Sequence, residues 1–155
     1  MNQKDYIIIY LHGNGGSRLD SLGLIPYCMN NLKMDLCTFD FTGCGKSEGH
    51  YVTLGLKEQE DLQSVINELI LKYKYNKFVL FGMSMGAVTV FLFCCTFRNW
   101  VEKNVVCIIL DSPFVSFKQL IYEFAEEKVK FGSILAGMSM SYVRDLAKRT
   151  QLEQK

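Results

Sequence analysis

The chain has 155 residues, of which 49% are hydrophobic, 13% aromatic and 21% charged. That balance excludes intrinsic disorder and suits one globular domain with a sizeable core. Seventeen basic against sixteen acidic side chains leave a net charge of +1, which argues against a nucleic-acid partner.

The longest apolar runs, such as Ala87 to Phe97, fall well short of the roughly 20 residues a membrane span needs. The N-terminus, Met1-Asn2-Gln3-Lys4-Asp5, has neither a signal-peptide layout nor a myristoylation glycine. The six cysteines, Cys28, Cys37, Cys44, Cys94, Cys95 and Cys107, include no C-x-x-C. Cys94, Cys95 and Cys107 lie inside apolar runs and are expected to be buried thiols in a reducing compartment. The expected location is cytoplasmic.

In chain order, Tyr6 to Leu11 is a β-branched and aromatic run suited to a strand buried on both faces. The glycine-rich turn His12 to Ser17 follows. Arg18 to Met29 is expected to be helix, disturbed late by Pro26. Asp35 to Phe41 is a second strand, ended by Thr42-Gly43-Cys44-Gly45. Lys57 to Tyr73 is the firmest helix, because Leu62, Val65, Ile66, Leu69, Ile70 and Tyr73 share one face. Lys77 to Phe81 is a third strand, Met85 to Phe97 an apolar helix, and Val105 to Leu110 a fourth strand. Phe91, Phe93 and Phe97 are read as core packing. Ser116 to Lys128 opens with a capping-box pattern, Ser116 and Gln119. A last helix runs from Ser133 to about Arg149.

Strands alternating with helices predict an α/β fold, a parallel sheet with helices on both faces. Ligand sites in such sheets lie in the loops at the carboxyl ends of the strands. One of those loops, Gly82-Met83-Ser84-Met85-Gly86, reads G-x-S-x-G between a strand and a helix. That is the context of a nucleophile elbow. The bare pattern is weak, and its placement strengthens it. Ser84 would stand exposed on strained backbone, flanked by Gly82 and Gly86 because side chains do not fit beside so sharp a turn. The Met85 N–H, opening the helix, would point to where an oxyanion forms. His12-Gly13 would supply the second half of the oxyanion hole through the Asn14 N–H. His12 more plausibly braces that loop than acts as a base.

Two motifs are decoys. Thr42 to Ser47 ends in GKS, but a phosphate loop needs glycine where Asp40 stands. Gly13-Asn14-Gly15 hints at a dinucleotide fingerprint, but Arg18 occupies the third glycine position.

The blocks IIIYLHGNGGSRLDSL, CTFDFTGCGKSEGHYVTLGLKEQEDL, FVLFGMSMGAVTV and IILDSPFVSFKQLI resemble successive parts of an α/β-hydrolase. The resemblance runs from about Tyr6 to about Arg149. It is closest to the serine aminopeptidase-like branch found in plants and protists. It implies a strand order 2-1-3-4, with a topological switch point between the His12 loop and the Ser84 elbow. It implies a serine hydrolase acting on a small-molecule acyl ester, thioester or peptide substrate, without cofactor or metal.

In this family an acid and then a histidine follow the serine. No histidine follows His50, and no strand pattern follows Leu110. The strands that precede the His12-Gly13 strand in relatives are also missing. The expectation is one partial domain over residues 1–155, a fragment or a short form, with little turnover alone. Asp111 is a substitute acid, although its bland role is a hydrogen bond at the Pro113 turn. His50 could swing in as base, although nothing marks it out. Val105 to Leu110 reads as a central strand whose outer edge needs a partner. The alternatives are a degenerate hydrolase that binds a ligand or protein, and a decaying product that folds poorly.

Overall fold

The computed structural model describes residues 6–114. The helices expected from Ser116 and Ser133 onward lie outside the described residues.

Four strands form one parallel sheet: β1 (Tyr6–Leu11), β2 (Asp35–Thr38), β3 (Lys77–Met83) and β4 (Val105–Asp111), in the order β2-β1-β3-β4. The order matches the expected one, so the chain reverses direction of winding between β1 and β3. Among the described residues three α-helices accompany the sheet: α1 (Glu58–Leu71), α2 (Met85–Thr96) and α3 (Arg98–Asn104).

The unbroken apolar run of β1 follows from its place between two strands. Ile7, Ile9 and Leu11 pack with Phe78 and Leu80 against Leu62, Ile66 and Leu69 of α1 and Val90 and Phe93 of α2. Ile8 turns the other way and packs with Val79 and Cys28. A strand covered on both sides cannot alternate polar with apolar side chains.

Residues 18–32 depart from the expected helix. They form a 3₁₀ helix, Arg18–Leu24, and then a single π-helical turn, Tyr27–Leu32, with Pro26 at its N-cap. Pro26 has no N–H and its ring clashes with a preceding turn, so one continuous α-helix is ruled out. The first piece opens with a capping box, Ser17 with Asp20.

β2 ends at Thr38 rather than Phe41, because pairing with β1 stops at Tyr10↔Thr38. The next residues turn toward His12, whose Nε2 accepts the Phe41 N–H at 3.2 Å. β3 runs to Met83 and β4 to Asp111, since Gly82 pairs with both Leu11 and Leu110 and Met83 pairs with Asp111. An irregularity beside Phe78/Val79 shifts that register at the start of β4.

Helix α3 was not foreseen. It is short and polar, and Phe97 serves at once as the C-cap of α2 and the N-cap of α3. Its Trp100 stacks on Phe78 at 5.5 Å.

Two burial expectations are corrected. Cys95 and Cys107 are exposed, because they lie on the outer face of α2 and on β4. Phe91 is 56% exposed while Phe93 is 2% exposed; residues two apart on a helix cannot share a face, whereas Phe93 and Phe97 can. Val105 to Leu110 takes the outer place that the expected strand order gives it. It is the edge of the sheet, with Val106, Ile108, Ile109 and Leu110 exposed.

Among the described residues no helix is long and apolar enough to cross a membrane.

Candidate active site

The turn from β3 into α2 forms the centre of the site. Ser84 has φ 50° and ψ −111°, a left-handed conformation that a non-glycine residue adopts only under strain. Its N–H donates to the Asp111 carbonyl at 2.8 Å, and its own carbonyl accepts the Val88 N–H at 3.1 Å. β4 and the first turn of α2 therefore hold the strained residue from both sides.

The flanking glycines are required by backbone crowding. A Cβ on Gly82 would strike the Gly86 carbonyl and stand 2.5 Å from the Ala87 nitrogen. A Cβ on Gly86 would strike the Leu11 carbonyl oxygen and stand 2.9 Å from that of His12. The absence of side chains lets α2 start directly against the end of β1.

That contact brings the His12 loop to Ser84. A Cβ on Gly13 would lie 3.5 Å from Ser84 Cβ and 3.4 Å from Met83 Cε. The Gly16 N–H closes the turn on the Gly13 carbonyl at 3.1 Å, with Gly15 at φ 73°. Asn14 sits half-buried at the start of that turn. Met85 is buried as the first residue of α2, so its N–H has no carbonyl partner within the helix.

His12 is fully buried and both ring nitrogens are engaged. Nε2 accepts from Phe41 N–H, so the proton is on Nδ1, which donates to the Gly13 carbonyl at 2.8 Å. The ring meets Phe41 edge-on, with centroids 4.9 Å apart. This histidine braces the loop.

Asp111 touches the elbow through its main chain. Its side chain accepts Ser112 Oγ–H at 2.8 Å. His50 lies on an exposed turn with its ring 6.4 Å from that of Tyr51. The decoy loop Thr42 to Ser47 binds this chain's own Asp40: a Cβ on Gly45, at φ 54°, would strike that carboxyl group.

Sequence reasoning missed three carboxylates that pin the loops around the site. Asp40 accepts the N–H groups of Arg18 at 2.7 Å and Lys46 at 2.9 Å, and Arg18 Nε at 2.9 Å. Asp61 accepts both the N–H and the hydroxyl of Thr42 at 2.8 Å. Glu58 is buried and accepts Thr53 N–H and Oγ–H at 2.7 Å and Gly55 N–H at 2.8 Å. The available signal was an acid beside each glycine turn. Burial pushes the Asp40 carboxyl up, but the hydrogen bonds from Arg18 and Lys46 and the Arg18 charge outweigh it and hold it below its ordinary value.

Cys37 and Cys44 are no rival nucleophiles. Burial pushes both thiols up to about 11, helped at Cys44 by Glu58, Asp40 and Asp61, so both stay protonated near neutral pH.

The strain at Ser84 gives a direct expectation. Ser84→Gly should raise stability by about 1 kcal/mol, because glycine adopts this conformation freely and relief of strain exceeds its entropic cost. Urea unfolding measures it; a midpoint unchanged or lowered would show that the serine conformation costs nothing.

A parallel sheet with a strained serine on a strand-to-helix turn beside a glycine loop defines the class as an α/β protein with its candidate site at the carboxyl ends of the strands. Comparison with known proteins gives the family: the model of the alpha/beta hydrolase fold matches residues 6–153, and the chain belongs to that family. It is 32% identical over 116 residues to a serine hydrolase-like protein of Mus musculus, covering 73% of this chain and 35% of the mouse protein. The Pyrococcus furiosus esterase Pf2001 superposes with a TM-score of 0.64 at 28% identity, over 85% of this chain and 53% of the esterase. Est1E from Butyrivibrio proteoclasticus, solved with ferulic acid, shares the fold with a TM-score of 0.61 at 22% identity, over 84% of this chain and 50% of Est1E. The chain thus spans about half the length of these two solved proteins and about a third of the mouse relative.

Proposed function

We propose that this chain is the nucleophile-bearing part of a serine hydrolase that cleaves an ester, thioester or amide bond. The observation that carries the reading is the backbone of Ser84, held in the left-handed region between Gly82 and Gly86. Such strain persists only where the surroundings over-determine it, and it clusters at working sites.

In this reading the Ser84 hydroxyl attacks the carbonyl carbon. The N–H groups of Met85 and Asn14 hold the oxyanion, and water later releases the acyl group. His12, Gly13, Gly82 and Gly86 keep that geometry. Asp111 is the substitute acid, supported by its position beside the elbow. The base comes from a segment beyond residues 1–155, which form a single partial domain. The four sequence blocks support the serine aminopeptidase-like branch, and the free thiols support a cytoplasmic setting.

A second reading, a non-catalytic hydrolase that binds an acyl ligand or a protein, is favoured by one observation. The chain's two histidines are His12, with both nitrogens engaged, and His50, on an exposed turn.

Intact mass and fluorophosphonate labelling of the endogenous protein separate the two. A mass above 17.8 kDa with label on Ser84 is expected. A longer protein left unlabelled at Ser84 overturns the hydrolase reading. An unlabelled protein of 17.8 kDa selects the binding module.

A further inference from the structure

A surface cleft of about 350 Å³ opens between the loop that follows β1 and the loop that follows β2, lined by Ser17, Arg18, Leu19, Asp40, Gly45 and Lys46. Its size is at the lower end of ligand clefts, which run to roughly 300–1,000 Å³. It lies at the carboxyl ends of the strands, where ligands of such sheets bind. The mechanism proposed for Ser84 makes no use of it.

The charges of this cleft are arranged unequally. The Asp40 side chain is 2% exposed, and Arg18 Nη2 stands 2.7 Å from it. Two backbone N–H groups and Arg18 Nε complete its shell. The one negative charge is thus sunk in the floor and saturated. Arg18 spends its Nε–H and one Nη2–H there, so three of its five N–H donors are left over, and the side chain as a whole is 45% exposed. Lys46 forms no ion pair among the described residues. The nearby Asp20 does not line the cleft and accepts the Ser17 N–H in the capping box.

Asp40 also anchors the main chain of both Arg18 and Lys46. Its two oxygens take the main-chain N–H groups of Arg18 and Lys46 separately, which sets one residue on each wall. The approach depends on Gly45, where any side chain would strike the carboxyl group. A guanidinium fork and an ammonium group lining the same cleft are the chemistry that suits an oxyanion.

We propose that this cleft binds a single oxyanion group, phosphate or carboxylate, between the Arg18 guanidinium and the Lys46 ammonium. The site stands whether or not Ser84 turns over an ester.

The test uses the full 155-residue chain and amide NMR titrations with inorganic phosphate and with acetate. Chloride balances ionic strength. Saturable shifts are expected at residues 17–19 and 45–47, and the tighter of the two anions identifies the group. Lys46→Ala should weaken binding about fivefold, since one partly exposed charge contact is lost. Lys46→Glu should abolish it. Both variants leave the Asp40 hydrogen bonds intact, because Lys46 contributes those through its main chain, and thermal melts should match the parent. Shifts no larger than chloride gives, or unchanged affinity in Lys46→Glu, overturn the proposal.

Discussion

Replacing Gly86 with alanine is expected to destabilise the chain by about 3 kcal/mol, at the top of the usual range for overpacking. The added methyl would meet backbone only: the Leu11 carbonyl oxygen, the Leu11 carbonyl carbon at 2.7 Å and the His12 oxygen at 2.9 Å. Backbone in a central strand cannot rotate aside as a side chain can. The one escape is to lift α2 off β1, which uncovers Val90 and Phe93 and separates the His12 loop from Ser84. Gly23→Ala is the control, since nothing lies within 4 Å of a Cβ there, and it should change stability by less than about 0.5 kcal/mol. Urea unfolding of the two variants checks the pair. A loss under about 1 kcal/mol at Gly86 would mean that the close approach is not a constraint.

The second large effect is on turnover, and it follows from the histidines. A serine hydroxyl is a weak nucleophile without a base. For His12 to serve, Nε2 must abandon the Phe41 N–H, leaving a buried donor unsatisfied at about 1–3 kcal/mol. The 155-residue chain should therefore hydrolyse p-nitrophenyl esters at no more than roughly 10³–10⁴ times the rate in water, the residue left by an oxyanion hole and binding. Ser84→Ala in this chain should lower that rate less than about tenfold, because triad members act as a unit. In a longer form that carries its histidine, the same substitution should cost about 10⁶. Ester hydrolysis followed against pH measures both. A rate in the short chain that rises through the range where histidine titrates, and that Ser84→Ala removes, would install His50 as the base.

The site was legible in unequal parts. The Gly82 to Gly86 pattern and its place between strand and helix could be read directly, although only Gly82 answers a local demand of the turn, while Gly86 makes room for the end of β1. The bracing role of His12 was inferred from the loop, but its proton position needed Phe41, 29 residues away. Asp40, Asp61 and Glu58 were missed for the same reason. Each accepts N–H groups from a loop whose position depends on packing, and an acid on a polar surface has the same appearance in sequence.

Periodicity and chain punctuation, taken alone, determined the four strands, α1 and α2, the α/β class and the candidate nucleophile. These features rest on interactions between residues close in the chain, where apolar spacing and glycine placement are read without knowing the partner. Tertiary structure decided the rest. It ended β2 at Thr38 because Phe41 is drawn to His12. It also turned Phe91, Cys95 and Cys107 outward. Burial and register depend on which surfaces meet across the fold, and that long-range pairing is not written in any single segment.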